Sequence, residues 1–373
     1  MNKTGMRSKD LEMKETLALI LFGISILLAV FFDLINFVFL SQALTLLNSN
    51  SNLLYWFFRG HIHAVRLLVS YPGYLLSIWC NIGLDDGFTI YIAVIFWILY
   101  WFVIKILKIL ETDDKALLIS GIFLFCLAVV MNGRIIFAYL GLTMLIYKDI
   151  RNLKGRRIPL WRTVMITVIS FILGTVSSGT MMVIVAYILL MTVVKLTYLY
   201  SPKKCLVVIL WGIIGLWLSS TLFYSVFNYL LTMINKNITF FGDGFSGVVN
   251  MLNHGIGRYI YLSDSRYYFL YLIIGFSGLT VNFLVFKLLI LDRRKINIPL
   301  FIAVNLGLYG SLVGISTGTM LLIPAMILAL SGMKAKSITR IGFEEKSGTG
   351  VYCLKNERQA PKCEHSKDRR LYL

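Results

Sequence analysis

Three groups of residues have the types and spacing to do chemistry. Arg134 follows Asn132-Gly133 at the start of a short apolar run. A helix N-terminus offers unbonded N–H groups, and a guanidinium adds a planar fork that fits phosphate. The alternative is an arginine that caps its helix and reaches for the membrane surface. The second group is Arg59-Gly-His61-Ile-His63-Ala-Val-Arg66. On a continuous helix Arg59, His63 and Arg66 share a face. Such a stripe suits anionic headgroups or pyrophosphate, and it equally suits an interfacial amphipathic helix. His61 and His63 would not share that face, so they make no metal pair.

The third group lies in a glycine-rich stretch with Asp243, His254, Arg258, Asp264 and Arg266. His254 and Arg258 are spaced to align on a helix. His254 or Asp243 has the chemistry of a general base, and Arg258 and Arg266 that of an anion clamp. Tyr267 and Tyr268 read as interface anchors. Asp85 and Asp86 read as turn residues. Asp33 is either a partner for a base inside a span or a residue near the outer interface.

The elements that must position these residues are apolar helices. Of 373 residues 58% are of hydrophobic types and 14% are charged, against roughly 25% charged in a soluble domain. Charge-free runs such as 88–104 and 205–231 are close to the roughly 20 residues that cross a bilayer. Helices satisfy their own backbone in lipid, and barrel-type alternation is absent from the sequence, so the fold class is all-α. The net charge of +18 fits basic loops held on the cytoplasmic side, and no nucleic-acid signature accompanies it.

Basic clusters at 3–14, 105–115, 148–162, 195–204, 287–295 and from 334 onward set a topology. It is a polytopic bundle of about ten spans with both termini cytoplasmic. The expected spans are about 15–40, 88–108, 116–131, 135–147, 163–177, 180–194, 205–232, 267–290, 298–315 and 319–332. Outer segments fall at about 41–87 and 233–266. Residues 1–332 form one membrane domain, and 333–373 form a basic, disordered cytoplasmic tail. The apolar stretch 67–82 contains Pro72 and Gly73 and reads as an outer helix at the interface or re-entering the membrane.

Three short-armed hairpins end in similar tips: 132–134, Ser177-Ser178-Gly179-Thr180 and Ser316-Thr317-Gly318-Thr319. They either floor an outward-facing cavity or are good turn chemistry. Cys80, Cys126, Cys205, Cys353 and Cys363 show no paired spacing, so neither a disulfide framework nor a zinc site is expected. No metal or cofactor is called for.

The segment Pro72-Gly73-Tyr74-Leu75-Leu76-Ser77-Ile78-Trp79, followed by Ile82-Gly83-Leu84 and a span, resembles the EpsG-like branch of the Wzy-type O-antigen and exopolysaccharide polymerases. Asn132-Gly133-Arg134-Ile135-Ile136-Phe137 resembles that family's outer arginine in style. Tyr71 stands where the family often has glutamate, and the motifs cover about a tenth of the chain. The resemblance implies repeat-unit polymerisation at the periplasmic face of a bacterial inner membrane. The partners it implies are an undecaprenyl-pyrophosphate-linked glycan, membrane lipid and a chain-length regulator protein. It makes Arg134, with Arg258 or Arg266, pyrophosphate clamps, and His254 or Asp243 the base. The competing readings are a flippase or transporter of lipid-linked glycan, a membrane acyltransferase or ligase, and a non-enzymatic assembly factor.

Overall fold

The computed structural model describes residues 3–59, 61, 63–131, 133–155, 158–199, short stretches between 231 and 250, 297–312 and 318–331. Among them every regular element is helical. The helices are α1 (Lys3–Phe31), α2 (Ser41–Ser49), α3 (Leu53–Phe58), α4 (Ala64–Cys80), α5 (Leu84–Ile109) and α6 (Asp114–Val130). They continue with α7 (Gly133–Leu153), α8 (Leu160–Gly174), α9 (Ser178–Leu199), α10 (Ile298–Leu312) and α11 (Leu322–Leu330), the last preceded by a 3-10 turn, Gly318–Leu321.

The expected count of about ten spans is corrected. Among the described residues three helical stretches are long and apolar enough to cross a membrane: Met13–Phe31, Leu84–Ile109 and Gly179–Leu196. Most other expected spans do form helices, but they fall short. α8 and α10 have 15 residues each, a rise of about 22 Å against roughly 30 Å of hydrocarbon. α11 has nine. α7 has 21 residues, but Lys148, Asp149 and Arg151 occupy its second half. The stretches 205–230 and 251–296, with the tail 333–373, lie outside the described residues.

α5 is the centre of the bundle. It packs against α1, α4, α6 and α7, and Phe88, Ile92, Phe96, Leu99 and Val103 along it are buried. α1 is different: Leu17, Leu21, Leu27 and Leu28 are each half exposed or more. A continuous apolar face of that size marks a lipid or partner surface.

The first span was expected to run to residue 40, but α1 ends at Phe31. Asp33 takes a left-handed φ of 56°. The Asp33 and Leu34 N–H groups donate back to the Val30 and Ala29 carbonyls, at 3.1 and 2.8 Å. This is a Schellman ending, which satisfies the last carbonyls of a helix. The chain then runs extended, with Ile35, Phe37 and Phe39 buried and Leu34, Asn36 and Val38 exposed. That is the period-two alternation of extended backbone. The Phe37 N–H donates to Thr89 Oγ1 (2.9 Å) and the Phe39 N–H to Asp85 Oδ1 (2.7 Å). The start of α5 therefore holds the strand-like segment.

Charge defines one end of the bundle. Lys14 pairs with Asp114 (2.5 Å), Lys108 with Glu15 (2.9 Å), Lys154 with Glu111 (2.5 Å) and Lys195 with Asp149 (2.5 Å). These bonds gather the start of α1, the ends of α5, α7 and α9, and the start of α6. The clusters 3–14, 105–115 and 148–162 and Lys195 thus meet at a single basic end. The opposite end carries residues 33–40, α2, α3, the α4–α5 turn and the turn between α8 and α9.

Candidate functional site

α2, α3 and α4 cap the end opposite the basic one. α4 leaves α5 through Asn81, another left-handed residue (φ 51°) in a Schellman ending. The two helices then touch backbone to backbone. A Cβ on Gly87 would lie 2.7 Å from the Ser77 nitrogen, and one on Gly73 would lie 2.9 Å from the Phe88 ring. Glycine at both positions is what allows this approach. Pro72 sits inside α4. Polar side chains knit the cap: Trp56 Nε1 donates to the Asn50 carbonyl (2.8 Å), and Tyr91 OH to the Val69 carbonyl (3.1 Å).

The start of α4 holds a buried cation. Arg66 is buried, at 5% exposure. Its guanidinium donates to Gln42 Oε1 on α2 and lies 3.5 Å from His63 Nδ1. His61 Nδ1 accepts the His63 N–H at 3.2 Å. The His61 ring meets Trp56 edge-on and lies 5.7 Å from His63. The result is a cluster of two imidazoles, an amide and a guanidinium, backed by an indole.

The predicted stripe Arg59–His63–Arg66 is broken. α3 stops at Phe58 and α4 starts at Ala64, so the three residues never share one helix. His63 and Arg66 meet. Arg59 is instead exposed and stacks on Tyr55, its Cζ 4.6 Å from the ring centre. Arg134 is the second residue of α7. Gly133 before it lies against Phe37, where a Cβ would be 2.7 Å from the ring. That glycine is set by packing on the extended segment.

Asp243 lies at an exposed bend between Gly242 (φ 88°) and Gly244 (φ 62°), and its carbonyl accepts the Ser246 hydroxyl at 2.9 Å. His254, Arg258 and Arg266 lie outside the described residues. Asp33 is exposed beside Asn36, at the end of α1. Asp85 bonds the Phe39 N–H, tying two segments together.

Of the three tips, the turn between α8 and α9 is described in most detail. Thr180 is buried, and its hydroxyl reaches the carbonyls of Gly174 (2.8 Å) and Ser177 (2.9 Å). The Thr175 hydroxyl donates to the Ile172 carbonyl. These hydroxyls donate their protons to carbonyls of their own turn, which is the behaviour of the turn-chemistry reading. Residues 316 and 317 of the third tip lie outside the described residues; the 3-10 turn that follows packs Leu321 onto Gly307 of α10, where a Cβ would meet it at 2.7 Å.

Sequence reasoning missed a cluster at the basic end. Asp149 is 1% exposed and accepts from Lys195 Nζ (2.5 Å) and from the buried Tyr187 hydroxyl (3.1 Å). Lys148 is also buried. Its Nζ donates to Thr167 Oγ1 (3.1 Å) and stands 3.9 Å from Asp149. Burial pulls the Lys148 ammonium below its usual range; Asp149 opposes that shift and Lys195 adds to it. In the sequence these lysines belong to two clusters that read as solvated loops. The only signal was an acid standing next to Lys148 and close to Arg151.

Comparison with protein-family models, with curated proteins and with solved structures gives no match.

Proposed function

We propose that this protein polymerises lipid-linked oligosaccharide repeat units at the outer face of a bacterial inner membrane. Three apolar helices of spanning length support a membrane setting, and the gathered basic end fits the cytoplasmic side. The reaction breaks the bond from the anomeric carbon of the growing glycan to its undecaprenyl pyrophosphate. A new bond forms to a hydroxyl of the incoming unit, and that hydroxyl's proton passes to a base. Charge develops on the departing pyrophosphate, so the reaction needs fixed cations at the outer interface.

The observation that carries this reading is the buried Arg66–Gln42–His63 cluster. It stands at the head of α4, the helix that contains the polymerase-like segment from Pro72 to Trp79. A guanidinium held by a neighbouring amide is already oriented for a pyrophosphate oxygen. In this reading Arg66 and Arg134 hold pyrophosphate, with Arg59, Arg258 and Arg266 around it. His254 or Asp243 takes the hydroxyl proton.

The test is deletion of the gene in its own host, followed by gel analysis of the surface glycan and complementation with Arg66→Lys, Arg66→Ala or Arg134→Ala. The expected result is loss of long chains with a single repeat unit kept on the acceptor. Arg66→Ala and Arg134→Ala should fail to restore the chains at normal membrane levels. Loss of the single unit as well would assign the protein to export and end the polymerase reading. A full ladder from both alanine variants would remove these arginines from the site.

A further inference from the structure

The depth of the cap can be read along α5. Near its basic end Lys105 Nζ stands 5.6 Å from the centre of the Trp101 ring, and at the start of α8 Arg162 Cζ stands 5.0 Å from that of Trp161. Both indoles are exposed. An exposed indole beside a cation is an anchor of the membrane boundary. From Lys105 back to Asp85 is about 20 residues of α5, a rise of about 30 Å. That is about the thickness of a hydrocarbon core, so the outer boundary falls at the first turn of α5.

Three segments reach that level. α1 runs antiparallel to α5, with Glu15 paired to Lys108, Phe22 against Tyr100 and Gly23 against Trp97. The same register brings its last residue, Phe31, level with Thr89. The extended segment is pinned by its bonds from Phe37 to Thr89 and from Phe39 to Asp85. The end of α4 is pinned by Ser77 against Gly87. From Ser77 back to Val69, α4 covers about 12 Å along its own axis. Its neighbours on α5 change only from Gly87 to Tyr91, which reaches Val69 through its hydroxyl, about 6 Å of rise. α4 therefore crosses α5 obliquely and stays near the boundary.

Each segment exposes large apolar side chains there: Phe31 and Phe32, Leu34 and Val38, Ile78 and Trp79. Phe31 is 80% exposed, and Val38 and Trp79 are each 75% exposed. They continue the exposed apolar face of α1 past the end of that helix. A surface in water seldom gathers so many large apolar side chains. Asp33 and Asp86 are exposed at the same level, so apolar and ionic groups mix as they do where acyl chains meet headgroups.

We propose that this rim seats the cap in the outer leaflet, with Phe31, Phe32, Val38 and Trp79 among the upper acyl chains and α4 lying obliquely at the membrane surface. The occupant of the rim is lipid, because the rim stands one hydrocarbon thickness from the inner anchors and joins the lipid-facing stripe of α1. Aromatic and aliphatic side chains at that depth are the usual interface anchors. The inference rests on the membrane setting and not on the polymerase reaction.

Nitroxide labelling of the full chain in phospholipid nanodiscs tests it. The exposed Cys80, next to Trp79, is labelled in a chain whose other cysteines are serine, which alters nothing in the rim. Val38→Cys and Trp79→Cys, in a chain with every natural cysteine replaced by serine, report the rim itself. Leu21→Cys on the exposed face of α1 and Lys115→Cys at the basic end are the acyl-chain and water references. The reading is relaxation of each label by oxygen against that by a water-soluble nickel chelate. We expect the oxygen-to-nickel ratio at Cys80, Val38 and Trp79 to exceed that at Lys115 several-fold and to approach that at Leu21. A ratio equal to that at Lys115 places the cap in water and overturns the proposal. Exclusion of both relaxants, with dipolar broadening between labels, gives the rim to a second copy of the chain and overturns it as well.

Discussion

The two ends of the bundle solve the burial of polar groups in different ways. At the basic end, helices far apart in sequence are joined by ionised side chains. All five ion pairs between described residues lie there, and Asp149 alone joins two lysines. At the opposite end the polar groups are mostly hydroxyls, amides and imidazoles. They bond to backbone carbonyls and N–H groups, as the Thr180 and Thr89 hydroxyls do, and the Trp56 indole and the Asp85 carboxylate bond backbone in the same way. Among the described side chains the buried guanidinium there is that of Arg66, which is held by an amide and faces an imidazole. A carboxylate partner neutralises a cation, whereas an amide orients it. The basic end therefore fastens the bundle by ion pairs, and the capped end is closed by hydrogen bonds around a buried arginine.

If the basic end is a fastening, the largest effect should come from its centre. Asp149→Asn leaves Lys195 and Lys148 facing each other without a counter-charge. Removing one member of a buried pair costs about 3–5 kcal/mol. Detergent-solubilised protein should show a large drop in thermal midpoint. An unchanged midpoint would mean that Asp149 is not the hub. The cap should be less sensitive, because its weakest point is steric. Gly87→Ala brings a methyl group onto the Ser77 backbone, and overpacking of this kind costs about 1–3 kcal/mol. The expected readout is faster proteolysis between α3 and α4 with α5 to α9 still protected. Uniform loss of protection would show that the cap and bundle fold as one unit.

Smaller still is the tip between α8 and α9. Thr180→Val removes a hydroxyl that serves two carbonyls of its own turn, a loss of about 1 kcal/mol. Since that hydroxyl is spent locally, the surface glycan should keep its full ladder. A collapsed ladder with normal stability would return the tip to the list of site elements.

The same contrast explains what could be read in the sequence. Helix existence was legible where apolar runs are long: 88–108 was expected and Leu84–Ile109 is found. Span count was not, because a 15-residue apolar arm reads alike whether it crosses lipid or packs part-way through a bundle. Residues 34–40 were read as helix because composition alone does not separate a buried helix from a buried extended segment. What separates them is the left-handed Asp33 and the bonds to Thr89 and Asp85, both more than forty residues away. At the site, the types of His63 and Arg66 were legible, and so was their spacing. Gln42 was not, since it comes from another helix, and neither was the break that takes Arg59 away. The Asp149 hub was hidden because its lysines lie in clusters whose composition looks like a solvated loop.

The smallest predicted effect concerns Lys148, and it sharpens the comparison most. Its ammonium is buried for one weak carboxylate contact at 3.9 Å and one hydroxyl. Replacing a poorly paired buried charge by an apolar side chain of similar length is often neutral or stabilising. Lys148→Met should therefore change stability at neutral pH by no more than about 1 kcal/mol. The pH dependence is the clearer signature. Burial lowers the Lys148 pKa in the folded chain, so between that lowered value and 10.5, its ordinary value, the unfolded chain binds more protons than the folded one. Stability attributable to this group must rise with pH across that window. Thermal midpoints measured from neutral to alkaline pH should show that rise in the parent, on top of whatever the other lysines contribute. The rise should be flatter in Lys148→Met. Identical slopes would mean that Lys148 keeps its proton in both states. The basic end would then tolerate an ionised, weakly paired lysine, and the contrast between an end fastened by ion pairs and an end closed by hydrogen bonds would lose its force.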